Sequence, residues 1–380
     1  MKHEVNLTNA RLVLPDRVVE GSVSLRDGEI VSVDEGHVAR APAMDLEGDW
    51  LLPGLIELHT DNLEGHVKPR PKVVWPMLPA LLAHDAELTA AGITTVFDSL
   101  RLGDEADDDR CYTTLKESVE EIRAAEAARL LRSDHRIHIR LEICKAGVVD
   151  DFADFKDEPL LGMCSLMDHT PGQRQFANLE SYRTYYMGKM GFGDAEMNAY
   201  IDARLADHDR WAGPNRTALA AMIRETDVAL ASHDDATEDH VSEAAALGLT
   251  ISEFPTTLEA GRACRHHGLT TIGGAPNLVR GKSHSGNVAV SDLARNGLLD
   301  ALASDYVPAS LLLGVFRLHD DLGWDLSRAA MVASRNPARM VGLEDRGEIA
   351  EGQRADVIWV TRSHDLPVVR GVWRGGRRVL

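Results

Sequence analysis

Cysteine is scarce in this 380-residue chain, and its four copies, Cys111, Cys144, Cys164 and Cys264, form no C-x-x-C pair. That excludes a zinc knuckle and a dithiol redox motif, and it points to a reduced, cytoplasmic protein. Long apolar runs are also missing. The opening MKHEVNLTNARLVLPDR has no apolar signal core, and no stretch approaches the ~20 apolar residues of a membrane span. Positive charge is in deficit, with 41 Lys and Arg against 60 Asp and Glu, for a formal charge of -19. A field of that sign disfavours nucleic acid and acidic membranes as partners but leaves room for a local basic pocket. Neither a GxxxxGK[ST] loop nor a GxGxxG fingerprint occurs, so nucleotide folds of those kinds are not supported.

What is present describes a globular chain with enough apolar material, 44% of residues, for a sizeable core. The first fifty residues alternate apolar and polar positions in short pieces, VNLTNARLVL, GSVSLRDGEIVSV and AMDLEGDWLL, with Asp-Gly and Glu-Gly turns between them. The far end, DRGEIAEGQRADVIWV and VVRGVWRGGRRVL, repeats that style, so both ends are expected in one small β domain, residues 1–52 with 345–380. Between them, over 53–344, a different rhythm runs: an apolar strand, a polar residue at its end, then a helix-periodic stretch. LLPGLIELHT, GITTVFDSL, RIHIRLEIC, MCSLMDHT, VALASHDD, LTISEFPTT, LTTIGGAP and ALASDY are eight candidate strands. Eight such units suggest a (β/α)8 barrel, although a doubly wound open sheet alternates in the same way. One connection, near 171–215, is too long for a plain loop. It carries Tyr182, Tyr185, Tyr186 and Tyr200 with Arg174, Arg183 and Lys189, a composition suited to covering a ligand or to packing on the barrel or a partner subunit.

In a parallel barrel the strand ends converge on one mouth. Those ends here carry His59 and Asp61, Glu142, His169, His233 and Asp305. His59 and Asp61, two apart, share a strand face. Taken singly, a strand-end histidine is more often a hydrogen-bonded structural group, Glu142 has Arg140 and Lys145 for partners, and Asp305 can cap a helix. Their joint occurrence on separate strands favours a metal centre of one or two divalent ions, Zn2+ first, with Mn2+ or Fe2+ as alternatives. Asp305 is then placed to hold or shuttle the proton of an activated water. His84 and Asp85, in the helix-periodic PALLAHDAELTAAG, read as surface or helix-packing residues.

Basic loops flank the same ends. HVKPRPKVVWP brings Arg70 after the first strand, and APNLVRGKSHSGN brings Arg280, Lys282, His284 and Asn287 after the seventh. With Asn62, Arg174 and Lys189 these are the candidate substrate contacts, suited to phosphate groups.

PGLIELHT, the SRNPAR helix and the closing GEIAEGQRAD segment, together with the strand-end ligands, resemble the amidohydrolase superfamily across nearly the whole chain. HTDNLEGHVKPRP, SLMDHTPGQRQF, ASHDDAT, EFPTT, GAPNLVRGKSHSGN and ASDYVPASLL further resemble the diphosphatase family of the carbon-phosphorus lyase pathway. That resemblance implies a metal-dependent (β/α)8 TIM barrel with a small β-sandwich domain built from both termini. It also implies hydrolysis of α-D-ribose 1-methylphosphonate 5-triphosphate to the 5-phosphate and diphosphate, with metal positions on His59, Asp61, Glu142, His169, His233 and Asp305. The superfamily's usual opening is His-x-His, and Asp61 departs from it. A C-N hydrolase is the rival enzyme and a catalytically silent scaffold the rival class. The expected partner is a phosphorylated small molecule, and a homo-oligomer is compatible with the chain.

Overall fold

The structure, a computed structural model, describes residues 4–36, 42–70, 72–103, 108–174, 179–283 and 286–380. Its strands are β1 (Glu4–Val13), β2 (Val18–Arg26), β3 (Glu29–Glu35), β4 (Met44–Asp45), β5 (Trp50–Pro53), β6 (Leu55–Thr60), β7 (Ile93–Leu102), β8 (Asp134–Glu142), β9 (Leu161–Met167), β10 (Ala229–His233), β11 (Ile251–Glu253), β12 (Thr270–Gly274), β13 (Ala301–Ala303), β14 (Val357–Ser363), β15 (Leu366–Arg374) and β16 (Arg377–Arg378). Strands β6 to β13 line up in chain order in one parallel sheet. They are the eight expected from the sequence. The last meets the first at the mouth, where Asp305 N–H donates to the His59 carbonyl at 3.0 Å and Asp61 N–H to the Asp305 carbonyl at 2.9 Å. Lower in that seam, Ile56 and Leu302 donate to the carbonyls of Ala333 and Val332, so the chain at 332–333 fills the gap between the two strands. Barrel closure decides against the open-sheet alternative.

Strands of this kind are covered on both faces, which is why β6 reads LIELHT and is buried throughout. Inside, Phe97, Met163, Ala231, Ile251, Ile272 and Ala301 form an apolar cluster. A Cβ on Gly162 would come within 2.5 Å of the Phe97 ring, so the bare backbone there makes room for the largest side chain of that layer. Two residues further along the same strands the layer turns polar, to Ser99, Ser165, His233 and Glu253, and the next step reaches Arg101 and Asp305. The period of two therefore stacks a charged layer on an apolar floor.

Both chain ends supply the other sheet, ordered β16-β15-β14-β5-β1-β2-β3, with β4 beside β1. Tight turns at Asp27-Gly28 and Gly375-Gly376, all at positive φ, join its hairpins. Leu7, Leu12, Leu25, Leu51, Val357, Trp359 and Trp373 are among the buried residues of its core.

The long connection after β9 folds as helices Leu179–Met190, Asp194–Asp207 and Gly213–Ile223. Its aromatics pack on one another: Tyr182 stacks on Tyr186 at 4.4 Å, and Tyr200 lies 5.6 Å from Tyr186 and 5.5 Å from Phe192. Tyr182, Met197 and Ile201 are buried as a small core of the insertion itself. The side chain of Tyr185 lies outside the described residues. Among the described residues, no helix is long and apolar enough to cross a membrane.

Candidate metal centre and active site

His59 closes β6 fully buried, its Nδ1 2.8 Å from Glu253 Oε1 on β11. Glu253 lies between His59, His138 and His233. Burial pushes its carboxyl up, but the His59 and His138 rings dominate and hold it well below the ordinary carboxylate range. His138, on β8, is pushed down to about 3 by burial, and its ring bonds the Leu58 carbonyl and Ser165. Beneath them Glu57 accepts hydrogen bonds from His59 N–H and Ser304 N–H, both at 2.7 Å. It thereby ties the first strand to the last, and burial raises its carboxyl to about 8.

Two groups of potential ligands sit above this floor. On one side His169, after the fourth strand, contacts Glu142 Oε2 through Nδ1 at 2.7 Å. His233, ending the fifth strand, lies against Asp234 at 2.9 Å. Burial alone would lower the His233 ring, but the Asp234 carboxylate wins and raises it. One ligand atom each from His169, His233 and Asp234 lie within 4.8 Å of one another. Among the described residues the buried Nε2 of His233 has no hydrogen-bond partner, and it lies 3.7 Å from Glu253 Oε2. An orphaned imidazole nitrogen in that setting fits a metal ligand.

On the other side His59, Asp61 and Asp305 also bring one ligand atom each within 4.8 Å. Here the sequence reasoning missed the decisive neighbour. Arg140, two residues before Glu142 and on the same face of β8, donates one Nη to both oxygens of Asp61 at 2.7 and 2.8 Å, and Arg101 adds a contact at 3.3 Å. Burial opposes ionisation of Asp61, but Arg140 holds its carboxyl far below the usual value. Asp305 is shifted the other way, burial pushing its carboxyl up. Asp234, Phe254 and Asp305, on three strand ends, all hold φ near +55° (56°, 56° and 54°). Side chains rarely adopt that conformation, and its clustering at one mouth marks a strained, functional rim.

The predicted substrate contacts are dispersed. Arg280 ends the short helix Ala275–Arg280 and is exposed, as are Lys282 and Arg70. Asn287 is half-buried on the stretch that Asn277 pins through Val288 and Val290. Arg174 is buried and committed, its guanidinium on Asp235 at 2.5 Å and on the His233 carbonyl at 3.0 Å, so it braces the fifth strand end. Asn62 turns to Glu87 and His84. His284 and the side chain of Lys189 lie outside the described residues.

Of the two expectations for His84 and Asp85, helix packing holds and surface exposure does not, since both are fully buried. His84 and His135 both bond Asp98, and Asp85 bonds Arg132 and Ser133, which clamps the helix Met77–Ala90 to β7 and to the start of β8.

Residues 188–379 match the amidohydrolase family. Across 375 residues, 98% of this chain and 99% of the other, the sequence is 47% identical to the α-D-ribose 1-methylphosphonate 5-triphosphate diphosphatase of Escherichia coli (strain K12). Among solved structures, N-acetylglucosamine-6-phosphate deacetylase from Pasteurella multocida superposes with a TM-score of 0.62 at 13% identity, over 99% of both chains. A 5-methylcytosine deaminase from Klebsiella pneumoniae reaches 0.68 at 16% identity, over 99% of this chain and 97% of that one. At such identities the two structures establish the common fold.

Proposed function

Because the chain belongs to the amidohydrolase family, we propose that it is a metal-dependent diphosphatase of phosphonate breakdown through the carbon-phosphorus lyase pathway. It hydrolyses α-D-ribose 1-methylphosphonate 5-triphosphate to the 5-phosphate and diphosphate. The observation that carries this reading is the 47% identity extending over 98% of the chain.

Glu142, His169 and His233, with Asp234 beside them, hold the divalent ion. Their imidazole and carboxylate donors favour Zn2+ over Mn2+ or Fe2+. When bound, the ion supplies a lowered water pKa and a positive charge for the phosphoryl oxygens. Asp305 is the base: its carboxylate takes the proton of the attacking water as the P–O bond between the first and second phosphorus atoms breaks and the bond to the water oxygen forms. Burial, which raises this carboxyl, makes it a better acceptor than an exposed aspartate. His59, fixed by Glu253, orients Asp61 and Asp305 from below. The exposed Arg280 and Lys282, with Arg70 and Asn287, supply the phosphate contacts, where charge-assisted hydrogen bonds select a polyanion over a neutral amide.

The catalytic barrel spans 53–344, and residues 1–52 with 345–380 form the second domain. The protein works in the cytoplasm, without a nucleic-acid or membrane partner, and a homo-oligomer is compatible with this reading. Chelation tests the metal requirement: stripping with a chelator abolishes diphosphate release and Zn2+ or Mn2+ restores it, whereas full turnover by stripped protein contradicts the reading.

A further inference from the structure

Resting on the metal-dependent reading above, we infer that this chain holds a single divalent ion, on the Glu142, His169 and His233 side, and that the guanidinium of Arg140 stands in for a second ion on the His59, Asp61 and Asp305 side.

Both oxygens of Asp61 face one Nη of Arg140, at 2.7 and 2.8 Å. A coordinating carboxylate must present an oxygen to a cation at about 2.0–2.2 Å, and on Asp61 a cation already occupies the direction that both oxygens share. Arg140 is also unable to yield. It is buried, it is anchored on a barrel strand with Nε 3.2 Å from Met167 Sδ, and a guanidinium keeps its proton in a protein. Since the ligand atoms of His59, Asp61 and Asp305 lie within 4.8 Å of one another, an ion among them would sit almost against that fixed charge with little water between. The aspartate makes sense in the same terms: a neutral imidazole at position 61 would leave Arg140 buried without its hydrogen-bonded counter-charge, and a carboxylate supplies it. On the opposite side the buried Nε2 of His233 makes no hydrogen bond among the described residues and lies 3.7 Å from Glu253 Oε2. On the Asp61 side the protein thus supplies its own cation, whereas on the His233 side a ligand nitrogen remains without a hydrogen bond.

The test is a count. Metal-free full-length protein is saturated with Zn2+, freed of excess by gel filtration and analysed by mass spectrometry for metal per chain. One ion is expected. Two overturn the inference, and none overturns the metal-dependent reading beneath it. In Asp61→Asn the single ion stays, with Mn2+ affinity reduced by no more than the roughly 10–100-fold expected of an outer group; loss of the ion would make Asp61 a ligand and overturn the inference. His233→Asn and Glu142→Gln lose the ion. Arg140→Met, checked for folding by circular dichroism, takes up a second ion; a folded variant that stays at one removes Arg140 as the reason. Should that variant not fold, the Mn2+-loaded wild type still decides: an isolated-ion electron paramagnetic resonance spectrum supports the inference, and an exchange-coupled pair refutes it.

Discussion

Removing the Arg140 guanidinium while keeping its bulk, as Arg140→Met, strands the Asp61 carboxylate among the strand ends. The side chains are 8% and 20% exposed, so water compensates little. With charge centres about 4 Å apart and an effective dielectric near 20, the lost attraction is about 4 kcal/mol. Breaking a fully buried pair from one side costs about 3–5 kcal/mol. Arg101, still 3.3 Å from Asp61, and the partial exposure of Asp61 reduce the expected loss to about 2–4 kcal/mol. Urea unfolding of metal-free protein followed by circular dichroism at pH 7 measures it. Asp61→Asn, which strands the arginine instead, should cost a similar amount, and the double variant should fall short of the sum by about 2 kcal/mol or more. The pH sign follows from the lowered carboxyl of Asp61. In the wild type its ion pair contributes fully above the ordinary value of 3.8 and is lost as pH falls through the depressed one. In Arg140→Met the carboxyl titrates higher, so the gap between variant and wild type is widest at neutral pH and narrows toward pH 4. Additive single variants, or a gap unchanged on acidification, would refute the placement of this pair.

Asp305→Asn should lower turnover by about 10²–10⁴-fold, the range for a lost general base, while metal content holds at one ion; retained turnover removes the base assignment. Replacing Arg280 and Lys282 together by alanine should raise KM for the triphosphate by roughly 10-fold or more, as charged hydrogen bonds are lost, with stability unchanged within about 0.5 kcal/mol. A normal KM would take both residues off the phosphate rim. Arg174→Ala should instead cost about 3–5 kcal/mol of stability by leaving Asp235 buried and unpaired, with KM unchanged in the folded fraction; a selective rise in KM would place this arginine on the substrate.

The barrel was legible because each strand announces itself twice, by a short apolar run and by a polar residue at its end. His59, Glu142, His169, His233 and Asp305 could be named from that pattern alone, since their strands run in chain order. Arg140 was harder to see, although RIHIRLEIC alternates His138, Arg140 and Glu142 with Ile137, Ile139 and Leu141 and so shows them on one face. What the pattern omits is the partner two strands away: Asp61 is 79 positions off, and the order β6-β7-β8 in the curved sheet brings the two together. Arg174 shows the opposite case: an arginine in a long, Tyr-rich connection reads as a ligand contact, and in the structure it is buried on Asp235. His84 and Asp85 were passed over because charged residues in a helical stretch are usually solvated, and the Asp98 and His135 that bury them lie on two separate strands.

The central claim is the bond that breaks. Metal-loaded protein incubated with α-D-ribose 1-methylphosphonate 5-triphosphate and followed by phosphorus NMR should give the resonances of diphosphate and of the 5-phosphate in equal amounts. Orthophosphate as the product, or an untouched triphosphate beside turnover of an amide, would contradict it.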